Sequence, residues 1–203
     1  NRLGILSDQQ LFRMDQYQEK RSFSSFDRAI VLGDVAYVTD AGSPGVSDPG
    51  ASLIAYAREQ GVSIKIVPGP SSLTAFISGC GRLFSEFYFG GFLPRKVTDM
   101  GRAMDRIIEL ASIGIWFESP KRIMTVADYL FKQWPEVIVV FAKELTKPYE
   151  TFFCGKMADV YSTIHSGDHR GEWVLMVDAR EHLLNTNLCV KVIQHGACRR
   201  WRA

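Results

Sequence analysis

The segment Val35-Ala-Tyr-Val-Thr-Asp40, continued by Ala41-Gly-Ser-Pro-Gly-Val-Ser-Asp-Pro-Gly50, constrains the fold of this chain more than any other. Its apolar run over 35–38 predicts a buried strand that ends at Thr39 and Asp40. Gly42, Pro44, Gly45, Pro49 and Gly50 then form a stiff loop, and residues 51–60 carry a helical pattern that Gly61 is placed to stop. Open α/β sheets hold their ligands in loops at the carboxyl ends of parallel strands. Glycine admits a ligand close to the backbone, and proline lowers the entropy lost when the loop is ordered. The design then repeats. Residues 62–67 alternate and are rich in β-branched side chains, Pro68-Gly-Pro-Ser-Ser72 is a second stiff loop, and residues 73–78 read as a helix starting near Ser71 or Ser72. Two consecutive strand–loop–helix units predict parallel strands joined by right-handed crossovers. Either loop alone reads as an ordinary turn; both on one sheet edge outline a cleft.

A further α/β block follows the bend Gly79-Cys-Gly81. Strands are predicted over 87–94, 113–117, 137–141, 150–154 and 172–178, and helices over 95–113, 121–134 and 158–164. The helix over 95–113 shows the clearest amphipathic spacing, with Met100, Met104, Ile107, Ile108 and Ala111 on one stripe. The chain therefore reads as α/β, with an N-terminal domain over 1–85, a C-terminal domain over 86–180 and an irregular or helical tail over 181–203.

Composition removes several classes. A chain of 203 residues, 46% hydrophobic and 23% charged, can bury a core and is not disordered in type. Its net charge of +2 does not demand a polyanionic partner. No apolar run reaches the ~20 residues that span a bilayer, and Cys80, Cys154, Cys189 and Cys198 form no C-x-x-C pair. The expectation is a soluble cytoplasmic protein with free thiols and no membrane partner. His165-Ser-Gly-Asp-His169 bends at Gly167, so its imidazoles read as turn residues, and no metal is expected. Gly69-Pro-Ser71 lacks the second glycine of a hydrolase elbow, since Leu73 stands there, and no Gly-Lys-Ser/Thr phosphate loop exists.

Asp40-Ala-Gly-Ser-Pro-Gly-Val-Ser-Asp-Pro-Gly50, Pro68-Gly-Pro-Ser-Ser72, Gly91-Phe-Leu-Pro-Arg-Lys96, Phe117-Glu-Ser-Pro-Lys-Arg122, Lys143-Glu-Leu-Thr-Lys147 and Gly171-Glu-Trp-Val-Leu175 occur in this order. The series closely resembles the ribosomal RNA small subunit methyltransferase I family, a branch of the tetrapyrrole methylases or class III methyltransferases. The resemblance implies two α/β domains with S-adenosylmethionine in the cleft between them, and a homodimer. It also implies methylation of a cytidine ribose 2′-hydroxyl in small-subunit ribosomal RNA. Family members begin with two strands whose Pro-x-Gly-Asn-Leu and Glu-Asp-Thr-Arg motifs have no counterpart here, so the N-terminal domain is expected to be truncated. Two other readings stand beside it: a catalytically incomplete remnant that keeps the scaffold or RNA binding, and a tetrapyrrole methylase.

Methyl transfer from a sulfonium depends chiefly on alignment, which can contribute ~7–11 kcal/mol, whereas a general base typically adds ~10²–10⁴-fold. By resemblance, Asp40, Ala41, Gly42, Ser43, Pro44, Val46, Ser71 and Ser72 line the cofactor, and Phe117, Glu118 and Ser119 face it from the second domain. Lys143 and Glu144, at the end of an apolar strand, are the candidates to take the hydroxyl proton, because a lysine held out of water gives up its own more easily. A structural ion pair is the competing reading for Lys143. Asp48 is expected to cap the helix that follows it. Arg95, Lys96, Lys121 and Arg122, beside aromatic residues such as Phe92, are the candidate RNA contacts. Interleaved Asp99, Asp105 and Glu109 make a solvated helix face the plainer alternative.

Overall fold

The computed structural model of the chain describes residues 19–39, 42–181 and 191–194. They fall into two compact units, 1–70 and 71–203; the sequence had suggested a boundary near 82–90.

In the first unit, α1 (Glu19–Leu32) and α2 (Ala51–Glu59) pack through Phe26, Leu53 and Ala57, with Phe23, Ile30, Tyr37 and Tyr56 around them. The Tyr56 ring stacks on Phe23 at 4.4 Å, and its hydroxyl donates to both Asp27 carboxylate oxygens at 2.9 and 3.0 Å. Helix α1 was not foreseen, although Phe23, Phe26 and Ile30 carry its period. Helix α2 begins as expected, but Asp48 does not cap it. Gly50 occupies the N-cap with φ 136°, and a Cβ there would lie 2.6 Å from the Tyr37 ring. The chain enters α2 through a conformation and a gap that only glycine fits.

The two strands predicted in this unit are not formed. Residues 34–39 and 62–70 join no sheet, and Val35, Val38, Ile66 and Val67 are exposed. An apolar run signals that a segment suits a sheet, but a ladder also requires a neighbour. The described residues of this unit supply none.

The second unit opens with α3 (Ser72–Gly79) and carries one six-stranded sheet. Its strands are β1 (Tyr88–Phe92), β2 (Ile113–Glu118), β3 (Ile138–Lys143), β4 (Thr151–Lys156), β5 (Trp173–Asp178) and β6 (Lys191–Gln194), in the order β1-β2-β5-β3-β4-β6. Helices α4 (Val97–Glu109), α5 (Ile123–Gln133) and α6 (Met157–Ser166) intervene. Among the described residues only β1 and β2 run parallel; the other pairs are antiparallel. The α/β class is borne out, whereas the uniformly parallel arrangement predicted for the N-terminal strands has no counterpart. Strand β6 lies in the stretch expected to be irregular or helical.

Both sheet faces are covered, which explains the near-continuous apolar strands. Trp116, Val139, Phe141, Trp173, Leu175 and Val177 face the core shared with α4, α5 and α6. Their alternates Ile115, Val140, Ala142, Val174 and Met176 face Phe76 and Cys80 of the α3 region. Among the described residues no helix is long and apolar enough to cross a membrane.

Candidate functional site

Two glycine- and proline-rich loops meet within the first unit. Ser43 Oγ donates to the Pro70 carbonyl at 3.4 Å, and Thr39 Oγ1 donates to the Gly42 carbonyl at 3.2 Å. Gly42 and Gly45 hold φ of 74° and 82°, a region that disfavours any side chain. A Cβ on Gly42 would stand 3.8 Å from Pro70 O, and one on Gly69 would stand 3.8 Å from Ser43 Oγ. The sequence reading of neighbouring loops thus has a geometric counterpart, although not at the ends of paired strands. Pro44 and Val46 are exposed on the first loop, and Asp40 and Ala41 lie outside the described residues.

In the second unit, Ser71 is the N-cap of α3 with extended backbone, and its hydroxyl makes no capping bond. Ser72, the first residue of the helix, is exposed. Strand register then gathers most of the remaining candidates at one end of the sheet. Phe92 pairs with Phe117, Glu118 with Trp173, Trp173 with Lys143, and Lys143 with Thr151.

Glu118 is almost wholly buried there. Its Oε1 accepts the Ser119 N–H at 2.7 Å, while Oε2 has no hydrogen-bond partner and lies 3.4 Å from Arg122 Nη2. Burial pushes its carboxyl above the usual range, against the opposing pull of the Ser119 N–H and Arg122. Arg122 donates through Nη1 to Leu93 O at 3.1 Å and through Nη2 to Pro94 O. Its guanidinium therefore ties the end of β2 to the segment after β1. Arg95, Lys96 and Lys121 are exposed, and no described acid pairs with them.

Lys143 is buried; its ammonium donates to the Asp168 carbonyl, lies 3.5 Å from Asp168 Oδ2 and sits 5.8 Å from the Trp173 ring centre. Arg170, hydrogen-bonded to Asp168, holds that carboxyl well below the usual range. Glu144 adopts φ 52° and accepts the Glu172 N–H at 2.8 Å and Lys147 Nζ at 2.9 Å. Those hydrogen bonds, the backbone one first, lower its carboxyl. The ion-pair reading of Lys143 left its partner open as Glu144 or another acid; the partner is Asp168, 25 positions away, which no local spacing reveals. His169 Nε2 bonds to Ile164 O at 2.7 Å, and His165 lies against Tyr161 at 5.6 Å.

Sequence reasoning also missed an aromatic cluster on the sheet's β1 edge. Phe89 and Phe92 both meet Phe117 edge to face, at 5.1 and 5.7 Å. In a regular strand, residues three apart point to opposite faces. The register shifts between Phe89 and Phe92, where Gly91 has φ 62°, and this bulge returns Phe92 to the face of Phe89. Gly90 is equally required, since a Cβ there would lie 2.2 Å from Trp116 Nε1. The paired glycines inside a predicted strand were the available signal.

Solved structures share this fold. The methyltransferase CobJ matches with TM-score 0.62 and 19% identity, covering 87% of this chain and 77% of that one. Diphthine synthase matches with TM-score 0.61 and 17% identity, covering 82% and 68%; at these identities the likeness is one of fold. Residues 13–161 match the family described as Tetrapyrrole (Corrin/Porphyrin) Methylases, and the chain belongs to that family. Within it, the chain is similar to proteins named ribosomal RNA small subunit methyltransferase I. That of Leptospira biflexa is 34% identical over 75% of this chain and 63% of its own length. That of Neisseria meningitidis serogroup A is 37% identical over 70% and 50%, and that of Thermotoga maritima 33% over 72% and 66%. The chain spans half to two thirds of the length of these relatives.

Proposed function

We propose that this chain forms the catalytic fold of an S-adenosylmethionine-dependent methyltransferase acting on the 2′-hydroxyl of a cytidine ribose in small-subunit ribosomal RNA. The observation that carries the reading is the family match over residues 13–161, which contain both glycine–proline loops and the ends of β2 and β3. In this reading it works as a homodimer in the cytoplasm, on RNA within the small ribosomal subunit.

The residues suit the cofactor. Gly42, Gly45 and Gly69 leave backbone polar groups approachable, and Ser71 keeps a hydroxyl that its own helix does not use. Glu118 adds a buried carboxylate oxygen without a hydrogen-bond partner. S-adenosylmethionine, when bound, supplies an activated methyl that is displaced in line. Gly42, Ser43, Pro44, Val46, Ser71 and Ser72 hold the cofactor, with Asp40 and Ala41 at the entry of the same loop. The family resemblance assigns Phe117, Glu118 and Ser119 to the cofactor as well. Rigid placement of this kind supplies most of the rate gain. Of the two proton acceptors, Glu144 is weakened by the hydrogen bonds that lower its carboxyl. Lys143 takes the hydroxyl proton only after its ammonium, held by the Asp168 carbonyl and carboxylate, has released one of its own to solvent. Arg95, Lys96 and Lys121 contact RNA phosphates, and Arg122 supports them through the Leu93 and Pro94 carbonyls.

A second reading, a scaffold that binds RNA without turnover, is favoured by residues 34–39 and 62–70, which carry apolar side chains and join no sheet. One assay separates the two. The chain is incubated with unmodified small ribosomal subunits and tritiated-methyl S-adenosylmethionine, and the rRNA is hydrolysed in alkali. Tritium in an alkali-resistant dinucleotide carrying cytidine is the expected result, because a 2′-O-methyl group blocks cleavage. Full binding of cofactor and RNA with no tritium transferred supports the scaffold instead.

A further inference from the structure

We propose that the exposed Phe92 ring is a stacking platform for an unpaired RNA base, set beside a phosphate-holding trio of Arg95, Lys96 and Lys121. This rests on the reading of the substrate as RNA and adds the side chain that receives a base.

Phe92 is 59% exposed although it belongs to a strand, and it is backed by Phe117, which also meets Phe89. The bulge at Gly90 and Gly91 is what turns it to that face. Bulges of this kind re-aim side chains next to functional sites. Strand β1 is also the edge of the sheet among the described residues, so this side of Phe92 has no neighbouring strand. Arg95 and Lys96 follow three and four positions later, on a segment pinned by Arg122 through Leu93 O and Pro94 O. Lys121 is the chain neighbour of Arg122. An exposed ring backed by Phe117, on a strand whose next residues carry exposed cations without a described acidic partner, matches how proteins hold single-stranded nucleic acid: bases stack on aromatics while cations follow the backbone. A second copy of the chain is a poorer occupant. A two-fold interface centred on this patch would bring these cations near their own equivalents, and like charges so placed repel.

The test uses the full chain and a fluorescein-labelled single-stranded RNA carrying a central cytidine, followed by anisotropy at several salt concentrations. Phe92→Ala is expected to weaken binding roughly five- to 150-fold, the range typical of losing one stacked base. Phe92→Trp should retain wild-type affinity and Phe92→Leu should not, since it keeps apolar area but no π face. The salt dependence should be unchanged in Phe92→Ala and flattened in Arg95→Ala/Lys96→Ala, because only the latter removes phosphate contacts. Sedimentation and calorimetry with S-adenosylhomocysteine accompany each variant. Wild-type RNA affinity in Phe92→Ala overturns the platform alone, and so does a loss confined to cofactor binding. A dimer that Phe92→Ala converts to monomer shows the ring to be a self-association surface and overturns it too. Absence of RNA binding by the folded wild-type chain overturns both the platform and the RNA reading.

Discussion

Replacing Asp178 by alanine should destabilise the second unit by about 3 kcal/mol, the lower end of what removing one partner from a buried ion pair costs. The carboxylate is fully buried and serves two arginines. Oδ2 accepts from Arg82 Nε at 3.0 Å, from Arg82 Nη2 at 2.8 Å and from Arg180 Nη2 at 2.8 Å, while Oδ1 accepts from Arg180 Nε at 2.9 Å. Arg82 leads towards β1, and Arg180 also donates to Leu83 O at 2.9 Å, so the tie fixes the approach to β1 at the end of β5. The lower figure applies because Arg82 retains Glu181 at 2.8 Å and Arg180 is half-exposed. With a urea slope of ~2 kcal/mol/M, the unfolding midpoint should fall by about 1.5 M. Urea titration followed by fluorescence of the buried Trp116 and Trp173 reads this directly. Acid gives a second axis. Burial alone would raise the Asp178 carboxyl, but hydrogen bonds from Arg180 and Arg82 outweigh it and hold the group below its usual value. The unfolded state then takes up this proton first as pH falls. The stabilisation is complete above the unfolded value of about 3.9 and is lost below it, through the lower folded value. The wild-type advantage over Asp178→Asn should therefore shrink below about pH 4. A midpoint for Asp178→Ala indistinguishable from wild type, with unchanged slope, would refute the reasoning.

Three further outcomes follow from the sheet end and the adjoining loops. Lys143→Met should lower single-turnover methyl transfer by ~10²–10⁴-fold, with S-adenosylhomocysteine affinity held; a rate within twofold of wild type would remove Lys143 from proton transfer. Glu144→Gln keeps an acceptor for the Glu172 N–H, so transfer should fall by less than tenfold, and a loss equal to that of Lys143→Met would show Glu144 to be the base. Gly171→Ala should destabilise by about 1–3 kcal/mol on a thermal melt. Its φ is 104° and the new Cβ would fall 2.6 Å from Glu144 Cγ.

The sequence was most legible where burial is complete. Strands β2, β3 and β5 are buried on both faces and read as apolar runs, and α4 shows its period through Met100, Met104, Ile107 and Ile108. Strand direction was less legible, because alternation of strands and helices suggests parallel pairing whether or not a crossover is made. The Glu144–Glu150 connection instead returns β4 antiparallel to β3, through positive φ at Glu144 and Thr146. Residues 35–38 and 62–67 show the limit of local reasoning, since their composition suits a strand and the partner is a non-local fact. The loops around Gly42 and Pro68 were recognisable because glycine and proline act locally. Asp168 beside Lys143, Arg122 under Pro94 and Phe92 turned by the bulge depend on register, which residue spacing does not carry.

The most direct test of the central claim is calorimetry of S-adenosylmethionine with this chain and with Gly42→Trp. A tryptophan there would meet a backbone of φ 74° and fill the space beside Pro70 O. Micromolar binding by the wild-type chain, abolished in a Gly42→Trp variant whose circular dichroism is unchanged, is the predicted result. No binding by a folded wild-type chain, or equal binding by both proteins, would contradict the assignment of these loops to the methyl donor.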